Sequence, residues 1–449
     1  MSNKTTPPLR GTPPEEGNVH PKGGAQNSPP LEGWQAKPDG VVPRLRFPEF
    51  REDGEWGWRQ LGDFLNESRL PGSKGNVAKK ITVKLWGNGV FEKNEAVQGS
   101  VNTQYFQRKA GQFIYSKLDF LNQAFGVIPE NLDNFESTVD LPCFDIAEGL
   151  NSVFLLEYVK RKRFYERLGE TADGSRKARR IHAETFLSFS VALPSQAEQQ
   201  KIADCLSSLD ELITLEAQKL ATLKTHKKGL MQQLFPAEGN HPTPTGHPSK
   251  GGEFVPKLRF PEFQDTDGWL IKRLCEFADV NASGDLDSES FSPAKTDDHI
   301  YPIYSNSVTQ NGLYGYCTYP KFQKDSVTVT ARGTLGVAFY RDHDYVGIGR
   351  LLVFSELNNV IPYFLQEIWN YSAKMPLENG GIPQLTAIKA RAVELWIPGK
   401  EEQQKIADFL SSLDDLITTQ NQKLTALKTH KNGLMQQLFP SVGGVAGEA

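Results

Sequence analysis

The hydrophobic pattern is most regular in two segments, which begin at Glu198 and Glu402 and repeat each other almost letter for letter. The first reads EQQKIADCLSSLDELI, the second reads EQQKIADFLSSLDDLI, and both continue to LMQQLFP. Apolar residues recur in each segment at alternating spacings of four and three, which predicts a long helix with a coiled-coil seam. The predicted seam residues are Ile202, Leu206, Leu209, Ile213, Leu220, Leu223, Leu230, Leu234, Ile406, Leu410, Leu413, Ile417, Leu424, Leu427, Leu434 and Leu438.

Two polar layers interrupt each seam at corresponding places. They are Glu216 and Lys227 in the first copy and Gln420 and Lys431 in the second. Polar layers fix the register and the partner of a coiled coil at some cost in stability. Because twin seams lie in one chain, we expect them to pair with each other about an internal pseudo-twofold axis. Two alternatives are that each seam packs onto its own globular half and that the seam joins two copies of the protein.

The ends of these helices also carry signals. Ser195, followed three residues later by Glu198, predicts a helix start, and Pro236 and Pro440 predict the two ends. A helix of this length would extend about 55 Å at 1.5 Å per residue.

The rest of the chain divides around the repeat. VPRLRFPEF at Val42 and VPKLRFPEF at Val255 introduce two segments that differ in sequence, and Pro/Gly-rich stretches flank them. We predict a disordered tail over 1–41, a first domain over 42–194, a first long helix over 195–236, a linker over 237–254, a second domain over 255–398, a second long helix over 399–440 and a tail over 441–449.

Both variable segments have the pattern of compact mixed α/β domains. In the first, AGQFIYSKLDF and TVDLPCFDI alternate like strands, and SVFLLEYVKRKRFYERL is typical of a helix. In the second, HIYPIYSN, GLYGYCTYP, SVTVTARGTLGVAFY and RLLVF predict strands before a helix in IPYFLQEIWNYSAK. The predicted fold class is α+β, with two mixed α/β domains separated by two long helices.

Composition narrows the setting of the protein. Hydrophobic residues make up 38% and charged residues 23% of the chain, and no run of about 18 apolar residues predicts a membrane span. We therefore expect no membrane contact. The N-terminus carries no secretion pattern, and Cys143, Cys205, Cys275 and Cys317 lie far apart, so we expect reduced thiols and a cytoplasmic protein.

The search for a catalytic centre finds none. The chain has no GxxxxGK[ST] loop and no NPPY-like motif, so neither a nucleotide phosphate loop nor an amino-methyltransferase centre is predicted. RDHDY at Arg341 holds a single histidine between two aspartates, which is more typical of a solvated loop than of a metal site. We expect no metal and no cofactor in this chain.

Candidate nucleic-acid contacts are distributed unevenly. The segment from Tyr158 to Arg180 contains nine Lys/Arg and three acidic residues, a positive surplus that could bind phosphates. A solvated helix face accounts for this surplus equally well. The second domain is slightly acidic, so its candidates are polar side chains on turns. The candidate DNA-binding residues are Lys84, Arg161, Arg163, Arg176, Arg179, Arg180, Tyr304, Asn306, Arg332, Arg350 and Gln384.

These residues together resemble the specificity subunit of type I restriction-modification systems. The resemblance rests on the twice-occurring EQQKIADxLSSLDxLI…LMQQLF, on VPxLRFPEF before each half, and on phrases such as ITVKLWGNGVF and TVTARGTLG. It covers residues 42–440.

The resemblance implies a DNA-reading protein with two target recognition domains, one for each half of a split, asymmetric target on double-stranded DNA. It also implies an antiparallel coiled coil that docks two adenine-methyltransferase subunits, to which ATP-dependent restriction and translocase subunits are added. S-adenosylmethionine, ATP and Mg²⁺ would then belong to the partners. The alternative from a different class is a coiled-coil adaptor that joins two protein-binding modules.

Overall fold

The computed structural model describes residues 41–94, 99–170, 180–236, 253–373 and 383–440. The predicted N-terminal tail up to residue 40, the predicted linker up to residue 252 and the predicted C-terminal tail lie outside the described residues.

The first half contains eleven strands and four helices in its described residues. The strands are β1 Gly57–Gln60, β2 Leu65–Glu67, β3 Pro71–Lys74, β4 Ile81–Val83, β5 Val90–Glu92, β6 Gln104–Gln107, β7 Phe113–Tyr115, β8 Phe125–Val127, β9 Glu136–Ser137, β10 Cys143–Ile146 and β11 Ser190–Leu193. The helices are α1 Ser152–Val159, α2 Lys162–Glu170, α3 Ala183–Leu187 and α4 Gln196–Leu234.

The second half contains ten strands and three helices in its described residues. The strands are β12 Leu270–Arg273, β13 Asp279–Ala282, β14 Phe291–Ser292, β15 Tyr301–Tyr304, β16 Leu313–Cys317, β17 Ser326–Val329, β18 Ala338–Arg341, β19 Val346–Gly347, β20 Leu352–Ser355 and β21 Glu394–Ile397. The helices are α5 Pro362–Ser372, α6 Ala387–Arg391 and α7 Lys400–Leu438.

The two domains share a common frame. Each is closed by an antiparallel pair of its first and last strands, β1 with β11 and β12 with β21. Each also has a four-stranded antiparallel sheet, in the order β2-β10-β7-β8 in the first domain and β13-β20-β17-β18 in the second. A helix, α1 or α5, packs on this frame with its apolar face in the core.

The domains differ in what the frame carries. The first domain adds a three-stranded sheet, β3-β6-β9, and the hairpin β4-β5. The second adds one mixed sheet in the order β14-β16-β15-β19, with β15 and β19 parallel. The sequence divergence between the halves therefore corresponds to a difference in architecture as well as in surface residues.

The two long helices pack against each other in antiparallel orientation. Lys227 of α4 bonds Asp414 of α7 at 2.8 Å, and Lys431 of α7 bonds Asp210 of α4 at 2.6 Å. Each helix has 39 residues, or about 58 Å at 1.5 Å per residue. All sixteen predicted seam residues are buried or half-buried. The structure confirms the predicted fold class and pairs the two seams within one chain.

The central polar layer marks the pseudo-twofold axis. Gln420 donates to the Glu216 carbonyl oxygen at 3.0 Å and to its carboxylate, and Lys423 also bonds that carboxylate. Glu216 and Gln420 are counterparts in the repeat, so each helix meets its own equivalent at this point. Two glutamates here would repel, whereas glutamate opposite glutamine forms a hydrogen bond. Lys423 and Gln420 hold the pKa of Glu216 below its ordinary value.

The end of each long helix completes the core of the other half's domain. Phe439, just after α7, packs in the first domain against Trp56 and Phe154, with ring centroids 6.3 and 5.2 Å apart. Phe235, just after α4, packs in the second domain against Trp269 and Phe364. The N-terminal part of each helix packs on its own domain, as Ile202 and Leu206 do in the first. Both domains thus depend on both helices.

A buried ion pair ties each opening segment to its helix. Arg46 of VPRLRFPEF bonds both carboxylate oxygens of Glu198, at 2.8 and 2.6 Å, and Arg259 of VPKLRFPEF bonds Glu402 at 2.8 Å twice. The backbone of the same segments bonds the opposite helix, since Leu45 N donates to Gln437 O. The opening segments therefore clamp both long helices together.

The start of α4 is as predicted, with one difference. Ser195 caps the helix by accepting from Glu198 N at 3.3 Å. The Glu198 side chain, however, faces Arg46 and Trp56 Nε1 instead of capping the helix. The neighbouring Gln199 is also buried, accepting from Asn151 N and donating to Gly149 O, which attaches α1 to the helix start.

We predict that Phe439→Ala loosens the first domain and that Phe235→Ala loosens the second. Removing either ring leaves a cavity in a core formed by both halves, and the expected loss of stability is about 3–5 kcal/mol. Hydrogen-deuterium exchange should rise in β1 and α1 for Phe439→Ala and in β12 and α5 for Phe235→Ala. The reverse assignment would contradict the exchange of helix ends.

Candidate nucleic-acid interface

Three loops of the second domain meet at the side chain of Asn306. Its amide nitrogen donates to Gly349 O at 2.7 Å, and its amide oxygen accepts from Ala331 N at 2.7 Å. A third segment joins them, since Leu385 N donates to Ala331 O at 3.1 Å. We call this arrangement the Asn306 junction.

The Asn306 junction brings several predicted contacts together. Arg332, Arg350 and Gln384 each lie one residue from a backbone group that the junction bonds. Arg332 and Arg350 are exposed, and Gln384 is half-buried. Arg350 has a left-handed backbone, with φ of 65°, which is uncommon for a residue other than glycine. Asn306 itself is occupied by these loops, so its role in the junction is to position its neighbours.

Tyr304 lies beneath this surface. Its ring is buried under the Arg341 guanidinium, 3.5 Å from the ring centroid, and its hydroxyl bonds His343 Nε2 at 2.8 Å. Arg341 also donates to Asn311 O at 2.8 Å and so anchors the tip of the loop that carries Asn306. Burial lowers the pKa of Arg341 to about 10 and raises that of Tyr304, so Arg341 remains charged at neutral pH and Tyr304 neutral.

In the first domain, the β4-β5 hairpin presents aromatic and cationic groups. Lys84 is exposed, and its Nζ lies 4.1 Å from the centroid of the Phe91 ring. At the tip, Trp86 adopts φ of 60° and is 64% exposed. A left-handed tryptophan with so much exposed ring is unusual in a folded domain, because it satisfies neither backbone preference nor burial. Sequence reasoning selected Lys84 and missed Trp86.

The remaining cationic candidates are divided between structural and exposed positions. Arg161 is half-buried over the ring of Tyr158, 3.8 Å from its centroid, and donates to Pro440 O at 3.0 Å. Arg163 and Arg180 are exposed. Arg176 and Arg179 lie outside the described residues.

Sequence analysis assigned Lys227 and Lys431 to the register of the coiled coil and missed their contacts with the two domains. Lys227 contacts Glu367 on α5 at 2.9 Å, and Lys431 contacts Glu157 on α1 at 3.1 Å. Burial opposes the charge of Lys227, but Glu367 and Asp414 outweigh it and hold its pKa above the ordinary value. Lys227 and Lys431 thereby each tie a long helix to the domain of the other half. The sequence signal for these contacts was a glutamate at the corresponding place in both domain helices, Glu157 in α1 and Glu367 in α5.

The described residues offer no metal site, since no group of three or more His, Cys, Asp or Glu side chains there could hold an ion. His343 contacts Asp342 at 2.5 Å and Tyr304, which is a hydrogen-bonded chain on the domain surface. None of the helices in the described ranges is long and apolar enough to span a bilayer.

Comparison with known proteins gives a consistent result. The sequence model of a family described as type I restriction modification DNA specificity domain matches residues 54–225 and 266–429. A Mycoplasma pneumoniae protein named as a type I specificity subunit is 26% identical over 331 residues, which cover 73% of this chain and 81% of that protein. A Methanocaldococcus jannaschii protein named as the specificity subunit of a type I restriction enzyme is 22% identical over 64% of this chain and 66% of its own length.

Similarity to a solved structure extends to the fold. The S subunit of a type I restriction-modification system from M. genitalium superimposes with a TM-score of 0.60, covering 90% of this chain and 100% of that one at 15% identity. At this identity the match supports the shared architecture alone.

We predict that Asn306→Ala and Arg332→Ala separate positioning from contact. Asn306→Ala removes two hydrogen bonds and should lower stability by about 1–3 kcal/mol, loosening the loops around residues 331 and 349. Arg332→Ala, at an exposed position, should leave the free energy of unfolding within about 0.5 kcal/mol of the original value but weaken DNA binding. Denaturant unfolding combined with DNA titration measures both effects. Unchanged DNA binding in Arg332→Ala would remove this surface from the interface.

Proposed function

The chain belongs to the type I restriction-modification DNA specificity family, and on that premise we propose that it is the non-catalytic subunit that reads a bipartite, asymmetric DNA target. Each domain would read one half-site on double-stranded DNA. The catalytic work would be done by docked methyltransferase and restriction subunits in the cytoplasm.

The observation that carries this proposal is that the two halves share one structural frame but carry different added sheets. Both halves share the strand closure, the four-stranded sheet and the long helix, while the added sheets have different strand orders. Two similar long helices can present the same docking surface to two copies of one partner. Two domains with different added sheets can read two different sequences. An asymmetric target follows from this combination.

The long helices suit a spacing function. Their length of about 58 Å exceeds one turn of B-DNA, about 34 Å, so domains at opposite ends can reach successive turns on one face of the duplex. Base pairs between the two half-sites would then lie opposite the helices and go unread.

Docking of partner subunits is supported by exposed leucines on the paired helices. Leu212 of α4 and Leu416 of α7 are counterparts in the repeat and both are exposed, Leu416 by 55%. Apolar side chains at these positions contribute nothing to the seam and suit burial by a second protein. Because they occur as a related pair, we expect two copies of an adenine-methyltransferase subunit. S-adenosylmethionine would be bound there, and ATP and Mg²⁺ in the restriction and translocase subunits.

We predict that exchanging residues 57–193 for the matching segment of another family member changes one half of the target. These cut points lie at β1 and β11, which pair with each other and close the domain, so Trp56 and the helix start remain in place. Genome-wide mapping of methylated adenines, with the methyltransferase subunit co-expressed, gives the readout. The second half-site and the gap should stay the same.

The matched control exchanges residues 270–397, between β12 and β21, and should change the other half-site only. The purified chain alone, mixed with DNA and S-adenosylmethionine, should transfer no methyl group. A change in both half-sites from one exchange, or methyl transfer by the chain alone, would contradict the proposed division of labour.

A further inference from the structure

A cleft of about 640 Å³ lies between the first domain and the end of α7. In the described part of the chain twelve residues line it, of which five are cationic and none is acidic. The cationic residues are Arg44, Lys160, Arg161, Lys162 and Arg163. We call it the basic cleft.

Arg161 gives the basic cleft a buried positive charge without an ion-pair partner among the described residues. Its Nε donates to Tyr158 O at 3.1 Å and its Nη1 to Pro440 O, but Nη2 is buried and has no hydrogen-bond partner among the described residues. Burial lowers the pKa of Arg161, because no ion pair within the described ranges balances its charge. A buried guanidinium without an ion pair is costly, and an anion in the cleft would balance its charge.

The hairpin beside the basic cleft favours a nucleic acid over an acidic peptide. Gly87 lies beside Lys160, since a Cβ at Gly87 would be in van der Waals contact with the Lys160 Cε at 3.4 Å. Gly87 N donates to the carbonyl of Gln123, which lines the cleft. Trp86, next to Gly87, exposes its ring to solvent. An exposed aromatic ring beside clustered cations is typical of surfaces that bind single-stranded nucleic acid, and on a duplex the cations would contact the backbone phosphates.

The other end of the molecule has a different arrangement at the same place. Counting four residues on from the buried glutamate of each domain helix, Arg161 in the first domain corresponds to Tyr371 in the second. Tyr371 packs on Phe235, with centroids 5.9 Å apart, and Ser372 Oγ donates to Pro236 O at 2.9 Å. The contacts that Arg161 makes to Phe439 and Pro440 are thus made by uncharged groups, and Asn370 takes the place of Lys160.

We propose that the basic cleft binds backbone phosphates of DNA and adds a sequence-independent contact at the first domain that the described residues of the second domain do not offer. The proposal rests on the proposed DNA-reading function and deepens it. The protein would hold DNA asymmetrically, with a phosphate anchor at one end, while base contacts remain with the diverged sheets and loops.

The test is the salt dependence of binding to a duplex of arbitrary sequence. The double variant Arg44→Gln/Arg163→Gln removes two exposed charges from the cleft without touching a core residue. Each lost phosphate contact should lower the slope of log affinity against log salt by about 1, so we expect a slope lower by about 2 and binding about tenfold weaker at physiological salt. Titrations of the full chain with its methyltransferase subunit, between low and physiological salt, give both values.

The matched control is Lys228→Gln/Lys257→Gln. Lys257 is the counterpart of Arg44 and Lys228 that of Asn432, so the control removes the same charge from the corresponding end. It should leave the slope near its original value. Equal slopes for the two double variants would overturn the proposal, as would loss of methyltransferase assembly with an unchanged slope. If the original protein with its partner bound no duplex at all, the DNA-reading function itself would fail.

Discussion

The structure depends on the exchange of helix ends between the two halves. Phe439 completes the aromatic core of the first domain and Phe235 that of the second, each supplied by the helix that belongs to the other half. Each ring is worth about 1.5–3 kcal/mol of burial, and it is joined by Leu438 or Leu234 from the same turn. Because each domain core holds the start of its own helix and the end of the other half's helix, the helices must run antiparallel and the domains must lie at opposite ends.

The same constraint explains which residues are identical in the two copies of the long-helix segment. Glu198 and Gln199 hold the opening segment and the domain helix, Lys431 joins the opposite helix to the first domain, and the closing Leu-Phe-Pro enters a core. Substituting any of these would disturb two elements at once. The added sheets do not join two elements in this way, so they can differ in strand order while the long helices and the shared strands stay alike. The added sheets can therefore vary without a change in the geometry that positions the two domains.

Much of the fold follows from local patterns. The four-three spacing predicted both long helices, and phrases such as SVTVTARGTLGVAFY predicted strands that the structure confirms as β17 and β18. These local patterns could not predict which side chains contact each other across long distances in the sequence. Glu198 fitted a capping signal, yet its partner Arg46 lies 152 residues away. Asn306 gathers backbone groups 25 and 43 residues away, and Arg161 reaches Pro440 across 279 residues. Such contacts depend on tertiary structure, and only the recurrence of Arg46 and Glu198 as Arg259 and Glu402 hinted at one of them.

The most direct measurement uses the ion pairs that cross between the long helices. A carbodiimide joins an amine to a carboxylate only where the two groups touch, so it should link Lys227 to Asp414 and Lys431 to Asp210. A mixture of isotopically light and heavy protein shows whether a link lies within one chain. We expect both links in peptides of uniform isotope content, as in an antiparallel pair within a single polypeptide. Links of mixed isotope content, at the share expected for random pairing, would show that the helices pair between molecules, and the absence of both links would contradict the antiparallel contacts.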